Sequence, residues 1–324
     1  MSHDKTGINN TASKAGTRSP FPSVSVEDIH RNSGLRVLIT GDLGFVGSAT
    51  KKYFLEKGLQ FVGYDIMQDG CDVTDIKKLE ETVTSLRVNR ILHLAAIARF
   101  SEAKKDRKLA FETNALGTRN IAIVANKYHI PVVYASTGSV YMPIEQEGAI
   151  TEEFDVEGNS AYGCSKALGE SFLQYYGAPY IILRYAHLYG KEKRMHGLIG
   201  GFLDRIERGL APMLYGGKQS NDFTYIKDVV HANYLAVTAS WDKWSQAYNI
   251  GTGEELTAEK AGKIICSVAG YKGKTEKRKG RSVDPERFYY DCSKAKKMLG
   301  FEAKYSFKQG LKDMYVEPKQ SKNT

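Results

Sequence analysis

Short apolar runs alternate with longer amphipathic stretches over most of the chain. The runs RVLIT (36–40) and QFVGYD (60–65) are separated by SATKKYFLEKG (48–58), which has helical spacing and a closing glycine. A second helical stretch, IKKLEETVTSL, precedes three more apolar runs; these are RILHLAA (90–96), PVVYAS (131–136) and PYIILRYA (179–186). The alternation predicts an α/β fold with a doubly wound parallel sheet, covered by helices on both faces.

The pattern also divides the chain into segments. Residues 1–33 are rich in Ser, Thr, Asn, Lys and Gly, and we expect a flexible tail there and another at 317–324. The sheet domain is expected over 34–186, and residues 222–252 are expected to return to it. This return rests on FTYIKDVVHANYLAV, a strand end leading into a helix, and on AYNIGTG, a strand and turn.

The rest of the C-terminal third is less regular. We expect 187–221 and 253–316 to form a smaller substrate-binding lobe. Open α/β sheets bind ligands outside the carboxyl ends of their strands, so this lobe is expected to cover that edge.

Composition narrows the class of protein. Of 324 residues, 42% are hydrophobic and 26% are charged, as in ordinary globular proteins. The N-terminus lacks the apolar segment of a secretory signal, and no run approaches the roughly 18 apolar residues of a membrane span. The four cysteines are scattered, which favours neither a disulfide framework nor a metal site (Cys71, Cys164, Cys266, Cys292). We expect a reduced, cytoplasmic protein without a structural metal or a membrane partner.

The net charge of +9 is partly concentrated in KGKTEKRKG (272–280). Such a run is typical of a solvated loop. A basic rim could also attract a phosphate or a nucleic acid, and the charge pattern does not separate these two interpretations.

A glycine-rich turn, TGDLGFVG, follows the first predicted strand and opens the first predicted helix. Its glycines allow a tight turn and a close approach of a pyrophosphate, and the helix N-terminus offers free N–H groups. The next strand ends in Asp65, near the position that binds the adenosine ribose in dinucleotide-binding proteins. The sequence therefore predicts a Rossmann-like dinucleotide site, with the loop contacts Gly41, Gly44, Phe45, Val46 and Gly47.

Asp65 also bears on which dinucleotide binds. A carboxylate accepts hydrogen bonds from ribose hydroxyls and repels a 2′-phosphate, and no Arg stands beside Asp65 and Ile66 in the sequence. We therefore expect NAD rather than NADP, with Asp65 and Ile66 among the contacts of the cofactor. Asp72 and Val73 are expected near the adenine, although Asp72 could instead cap a helix.

The stretch SAYGCSKALGE places Tyr162 and Lys166 one helical turn apart. Such pairs occur by chance on many helices. In a dinucleotide enzyme the same pair has a chemical use, because a neighbouring ammonium group favours a phenolate that can accept a proton from a sugar hydroxyl.

With both motifs present, the chain resembles the extended short-chain dehydrogenase/reductase family, in particular its NAD-dependent nucleotide-sugar epimerases and dehydratases. The resemblance runs from about residue 35 to about 316, and its further motifs are HLAA, ETNALGTRN, VVYASTGSVY, LRYAHLYG, DFTYIKDVV and RSVDPERFYYDCSKAKKMLGF. It implies that Leu94, Ala95 and Ala96 line the nicotinamide side and that Asn114 lies near the nicotinamide ribose. It also implies that Thr137 acts with the Tyr–Lys pair on the substrate oxygen.

The substrate side departs from the family pattern. Hexose dehydratases usually carry Asp-Glu after the catalytic Thr, and this chain has Gly138 and Ser139, which disfavours dehydration. His187 replaces a common Asn and Asn221 replaces a common Arg, whereas Arg281 matches a diphosphate-binding Arg. We expect substrate contacts from Thr137, Ser139, His187, Asn221 and Arg281. His187 could instead be a packed side chain, and Arg281 a surface residue in a basic loop.

Three functions remain open at this point. The leading hypothesis is an NAD-dependent epimerase of a nucleotide-activated sugar, which acts through transient oxidation to a ketone and is a homodimer through helices near 100–128 and 160–176. A sugar-nucleotide dehydrogenase, reductase or decarboxylase on the same fold is the alternative. A non-catalytic RNA- or polyanion-binding protein on this fold is a third possibility, which the complete set of reactive residues disfavours.

Overall fold

The computed structural model describes residues 34–68, 70–141, 148–158, 160–191, 197–280 and 287–316. The two predicted tails lie outside these residues, and so does Arg281.

The described strands are short, with two to six residues each. They are β1 (Arg36–Thr40), β2 (Gln60–Tyr64), β3 (Arg90–His93), β4 (Val132–Thr137), β5 (Tyr180–Tyr185), β6 (His187–Tyr189), β7 (Met213–Tyr215), β8 (Ser220–Asn221), β9 (Phe223–Tyr225), β10 (Gln246–Ile250), β11 (Leu256–Thr257) and β12 (Glu276–Arg278).

The helices fall mainly between these strands. They are α1 (Phe45–Glu56), α2 (Ile76–Ser85), α3 (Phe100–Lys105), α4 (Arg107–Phe111), α5 (Gly117–Tyr128), α6 (Ala161–Tyr176), α7 (Gly197–Glu207), α8 (Ile226–Val237), α9 (Ala258–Val268), α10 (Ser293–Leu299) and α11 (Phe307–Val316). A π-helical turn (Glu112–Leu116) joins α4 to α5, and 3₁₀ turns follow β4 (Gly138–Val140) and α8 (Trp241–Lys243).

Six strands form one parallel sheet in the order β10-β5-β4-β3-β1-β2. This confirms the predicted α/β class. The order reverses between β1 and β3, because the chain passes outward from β1 to β2 and then returns to the other side of β1. Such a switch point leaves a crevice at the carboxyl ends of the two strands, where ligands bind.

Alternate residues of each strand supply two separate cores, one on each face of the sheet. In β1, Val37 and Ile39 pack with α1 and α8, whereas Leu38 packs with α2, α5 and α6. In β5, Leu183 belongs to the first core and Ile182 to the second. Both faces of the strands are therefore buried, which explains their nearly continuous apolar sequences.

Capping residues mark several helix boundaries. The Asp75 side chain accepts from the backbone N–H groups of Lys77 and Lys78 at the start of α2, at 3.0 and 3.1 Å. Helix α6 ends at Gly177, whose positive φ of 77° suits glycine. The alternative that Asp72 caps this helix is wrong, because Asp75 occupies the capping position.

The segments outside the sheet pair among themselves. β7 pairs with β12, and β8 pairs with β11. Helices α7 and α9 pack beside these small sheets and join the same core as α1 and α8. β10 lies beside β5 at one edge of the main sheet, so the chain returns to the sheet after α8.

Candidate active site

The glycine loop lies at the switch point between β1 and β3. Gly41 has a φ of +69°, and a Cβ atom added there would lie 2.7 Å from the backbone of Ala95. A Cβ atom on Gly47 would lie 2.2 Å from the carbonyl oxygen of Gly41. Only glycine fits at these two positions, so the loop is held closely between the end of β3 and the start of α1.

The first turn of α1 has the properties of an anion site. Its N-cap residue, Gly44, offers no capping side chain, and no acidic residue stands in the first turn. The backbone amides of Phe45, Val46 and Gly47 therefore lie at the positive end of the helix dipole, and no acidic side chain of the first turn competes for them. This arrangement fits the diphosphate of a dinucleotide such as NAD.

Asp65 follows β2 and faces the glycine loop. Its carboxylate accepts from the backbone N–H of Leu43 at 3.1 Å and from that of Met67 at 3.0 Å. The remaining lone pairs of the two oxygens suit the hydroxyls of an adenosine ribose. Ile66 is 67% exposed beside it and could cover one face of the adenine.

The next predicted pair, Asp72 and Val73, has a structural role in the described contacts. Asp72 accepts from the backbone N–H of Thr74 at 2.8 Å and closes a local turn. Val73 is buried against Gly117, where an added Cβ atom would lie 2.6 Å from its Cγ2. The two residues thus pack the loop after β2 against α5.

Residues 94–96 leave the end of β3 beside the glycine loop. The backbone N–H groups of Leu94 and Ala95 bond to Thr40, Leu94 to its carbonyl at 3.1 Å and Ala95 to its hydroxyl at 3.2 Å. Both residues and Ala96 are half-buried, so one side of this segment is accessible from the crevice.

Asn114 is fully buried in the π-helical turn, and its side chain binds protein groups. It accepts from the Ile97 N–H at 2.7 Å and donates to the Ser165 hydroxyl at 3.0 Å. Asn114 thereby fastens the loop after β3 to α6, the helix with the Tyr–Lys pair. Its predicted place near the nicotinamide ribose stays a prediction.

The three predicted reactive residues meet where β4 ends and α6 begins. The Thr137 hydroxyl accepts from the Ser139 N–H at 3.2 Å, and a hydrogen bond joins it to Tyr162. The close approach comes from Gly163, since a Cβ atom there would lie 2.1 Å from the Ser139 carbonyl oxygen. Lys166 lies one turn further along α6 and is 1% exposed.

Burial sets the charge of this pair. Burial raises the pKa of Tyr162 to about 12, and the hydrogen bond with Thr137 opposes the rise. Burial lowers the pKa of Lys166 to about 7, and the charge of Glu170 opposes the fall. Loss of hydration therefore dominates the pKa of both groups in this structure. The lowering of the Tyr162 pKa by Lys166 together with a bound, positively charged nicotinamide stays a prediction. The Lys166 ammonium nitrogen lies 4.0 Å from the centre of the Tyr134 ring, which supplies a cation–π contact.

A buried polar network under this pair was missed by the sequence reasoning. Glu170 pairs with Arg184 at 2.7 Å and accepts from the Ser136 hydroxyl at 2.5 Å. Ser136 directly precedes Thr137, so the network fastens the end of β4 to α6. A sequence signal was present, since Tyr162, Lys166 and Glu170 repeat every four residues on one helix face.

His93 is a second buried group that the sequence reasoning missed. It lies between the hydroxyls of Thr40 and Thr118, at 2.7 and 2.9 Å, and stacks on the Tyr134 ring. Burial holds its pKa well below the usual range, and the charge of Lys166 adds to this effect. A neutral His93 therefore supports the ring that faces Lys166.

Two of the predicted substrate residues, Ser139 and His187, follow the carboxyl ends of β4 and β5. Tyr185 in β5 pairs with Thr137 in β4. His187 follows Tyr185 by two residues, so it lies at the same edge of the sheet as Thr137. The His187 N–H donates to the Asp222 carbonyl at 2.9 Å, which brings the neighbouring Asn221 to the same edge. Loss of hydration among the surrounding protein atoms lowers the pKa of the His187 imidazole, although part of the residue is exposed to solvent. The Ser139 hydroxyl lies 3.5 Å from that of Thr137.

Phe288 closes the site on the side of Gly138. A Cβ atom on Gly138 would lie 2.1 Å from Cζ of Phe288 and 2.7 Å from the hydroxyl of Tyr290. The position after Thr137 thus has no room for a side chain while this ring is in place.

The described ranges contain no group of three His, Cys, Asp or Glu side chains placed to hold a metal ion. Within the same ranges, no helix is both long enough and apolar enough to cross a membrane. The four cysteines are free thiols.

The chain is similar in sequence and in fold to several known proteins. A family model, the NAD dependent epimerase/dehydratase family, matches residues 37–251. The chain is 30% identical over 304 residues to a candidate UDP-glucose 4-epimerase of Methanocaldococcus jannaschii, with 85% of this chain and 96% of the relative covered. The UDP-glucose 4-epimerase of Thermotoga maritima, solved with UDP-glucose, superposes with a TM-score of 0.80 at 27% identity, covering 86% and 97% of the two chains. The Thermus thermophilus UDP-glucose 4-epimerase, solved with NAD, gives a TM-score of 0.77 at 28% identity, with the same coverage.

The family model spans well over half of the chain and includes the glycine loop, Asp65 and the three reactive residues. The structural matches cover 86% of the chain, a larger share than the family model covers. The uncapped first turn of α1 and the carboxylate of Asp65 suit NAD. The chain is therefore an NAD-using enzyme and belongs to the NAD-dependent epimerase/dehydratase family.

Proposed function

We propose that this enzyme epimerises a nucleotide-activated sugar, with a UDP-hexose as the first substrate to test. The observation that carries the proposal is the contact between Thr137 and Tyr162 where β4 ends and α6 begins, with the buried Lys166 one turn further along α6. The UDP-glucose 4-epimerases of similar sequence and structure support the choice of substrate.

Tyr162, Thr137 and Lys166 have different roles in the proton transfer. The Tyr162 oxygen takes the proton of the substrate carbinol, and the Thr137 hydroxyl donates to the same substrate oxygen as charge develops on it. Lys166 lies behind them as the positive group that favours the phenolate when it is protonated. NAD, when bound, would supply a positively charged ring that can accept a hydride from the substrate carbon and give it back. With the hydride given back to the opposite face of the ketone and the proton given back by Tyr162 to its oxygen, the carbon would be inverted without a second substrate.

Gly138 and Phe288 argue against hexose dehydration. Dehydration requires an acid beside the leaving hydroxyl, and glycine supplies none. The Phe288 ring also fills the space that an acidic side chain at position 138 would need.

The direct experiment follows both products of the reaction. Purified enzyme with NAD is incubated with UDP-glucose, and the sugar is analysed by NMR while absorbance at the NADH band is recorded. Epimer without net NADH supports the proposal, whereas stoichiometric NADH indicates a dehydrogenase. Loss of carbon dioxide from UDP-glucuronic acid in a parallel incubation indicates a decarboxylase. Tyr162→Phe is the matched control, with an expected rate loss on the order of 10²- to 10⁴-fold. RNA binding that survives this substitution, without turnover of any nucleotide sugar, would instead support a polyanion-binding protein.

We also propose a homodimer formed by the helices beside the active site. Large apolar side chains on this face are exposed by 40% or more, which is unusual for a monomer's helix surface. They are Phe100, Leu109, Phe111, Leu168 and Tyr175 on α3, α4 and α6. Light scattering of the wild type and of Leu168→Glu tests this, since a charge in the middle of the contact is expected to give monomers.

The lobe assignment and the location follow the same proposal. Residues 187–221 and 253–316 would hold the nucleotide and sugar over the sheet edge, with His187 and Asn221 as contacts. The free thiols support a reducing compartment, and we place the enzyme in the cytoplasm.

A further inference from the structure

Asp42, the second residue of the glycine loop, forms a buried ion pair. Its side chain is 1% exposed and lies 2.5 Å from the ammonium nitrogen of Lys51 on α1. Gln68 donates to the same carboxylate at 3.2 Å. Gln68 belongs to the loop that begins with Asp65, so the Asp42–Lys51 pair lies where the phosphate loop meets the ribose-binding loop.

Gly63 in β2 leaves the space that the Asp42 carboxylate occupies. A Cβ atom on Gly63 in β2 would lie 2.4 Å from Oδ2 of Asp42. Any other residue at position 63 would collide with Asp42, which is otherwise an odd place for glycine because it weakens a strand. The fit of Gly63 to Asp42 shows that the ion pair belongs to the packing of the site.

The two loops are tied to each other in both directions. Asp65 of the second loop accepts from the Leu43 N–H of the first loop, and Asp42 of the first loop accepts from Gln68 of the second. The position of Lys51 relative to the ribose-binding carboxylate is therefore fixed by direct contacts.

Lys51 would act differently without its partner. Its side chain is 24% exposed and has a flexible four-carbon stem, so a released ammonium group could turn toward the adenosine end of the cofactor site. A cation at that place would attract a ribose 2′-phosphate and offset the repulsion by Asp65. A site selects one ligand both by favourable contacts with that ligand and by lacking the contacts that would stabilise a competing ligand.

We propose that Asp42 is a specificity-determining residue, which keeps the site selective for NAD over NADP by holding the Lys51 ammonium group in a buried ion pair. The inference concerns the cofactor and does not depend on which sugar is the substrate.

The test compares the dissociation constants of NAD and NADP by calorimetry in four proteins: wild type, Asp42→Asn, Lys51→Met and the double variant. For Asp42→Asn we expect the ratio of the NADP constant to the NAD constant to fall by about tenfold, from one added cation near the 2′-phosphate. Lys51→Met and the double variant are expected to keep a high ratio, because neither has a free ammonium group.

Two results would overturn the proposal. One is an unchanged ratio in folded Asp42→Asn. The other is a double variant that relaxes selectivity as much as Asp42→Asn, since the lost negative charge would then act without Lys51. If Asp42→Asn does not fold, Asp42→Gly replaces it, because glycine adds no atoms to the packed loop. Calorimetry does not require turnover, so this result and the epimerase result can fail independently.

Discussion

The ion pair between Glu170 and Arg184 allows a quantitative test of the buried network under the reactive residues. The two side chains are 3% and 5% exposed, and the carboxylate accepts from Ser136 and from two nitrogens of Arg184. Glu170→Gln preserves the shape and removes the charge, which leaves a buried guanidinium group without a counter-charge. Removal of one partner of such a pair costs about 3–5 kcal/mol. Because glutamine can still accept one hydrogen bond, we expect a loss of about 3 kcal/mol, a large part of a typical stability of about 5–15 kcal/mol.

Urea unfolding of four proteins measures this loss and its origin. Arg184→Met removes the other partner, and the double variant removes both charges. We expect the double variant to cost less than the sum of the single variants by about 2 kcal/mol, because it leaves no isolated buried charge. Additive costs, or a loss below about 1 kcal/mol in Glu170→Gln, would refute the reasoning that this pair is buried and mutually compensated.

Three further predictions concern positions described above. Gly138→Ala is expected to lower the unfolding free energy by about 1–3 kcal/mol, since its Cβ atom collides with Phe288, and adding Phe288→Leu should recover part of the thermal midpoint. Lys166→Met is expected to be more stable than the wild type below about pH 7. That advantage should shrink as the pH rises toward 10.5 in urea titrations, because only the unfolded wild type keeps the lysine proton in this range; a constant difference would contradict the lowered pKa. Asp75→Ala should cost about 1 kcal/mol through the lost cap, measurable as a lower urea midpoint, whereas Thr74→Ala should change it little.

The sequence predicted the sheet well because its strands are buried on both faces. RVLIT and IKKLEETVTSL correspond closely to β1 and α2, since each has a distinct period and a clear terminal residue. RILHLAA extends three residues beyond β3, because Leu94 turns away to bond with Thr40 at the glycine loop. Apolar composition alone cannot show where a strand stops pairing.

Sequence spacing predicted which side chains meet at the start of α6, but it did not predict their protonation. Spacing along α6 reports which side chains share a face, but a pKa depends on how much water each side chain loses, which only the packing of β4 and Tyr134 reveals. The Asp42–Lys51 pair was missed for a related reason. Its partners come from the loop, α1 and the segment after β2, and no local pattern connects a loop aspartate with a glycine in the next strand.

The sheet separates the two chemical tasks of the enzyme. The helix that meets the phosphates, α1, packs on one face, whereas α6, which carries Tyr162 and Lys166, packs on the other. Substitutions among the core residues that pack against α1 are therefore expected to change the affinity for the dinucleotide. They leave the packing beneath Tyr162 and Lys166 unchanged. Substitutions in the core beneath α6 are expected to affect proton transfer and to leave dinucleotide binding unchanged. The two properties can therefore be altered separately within one domain.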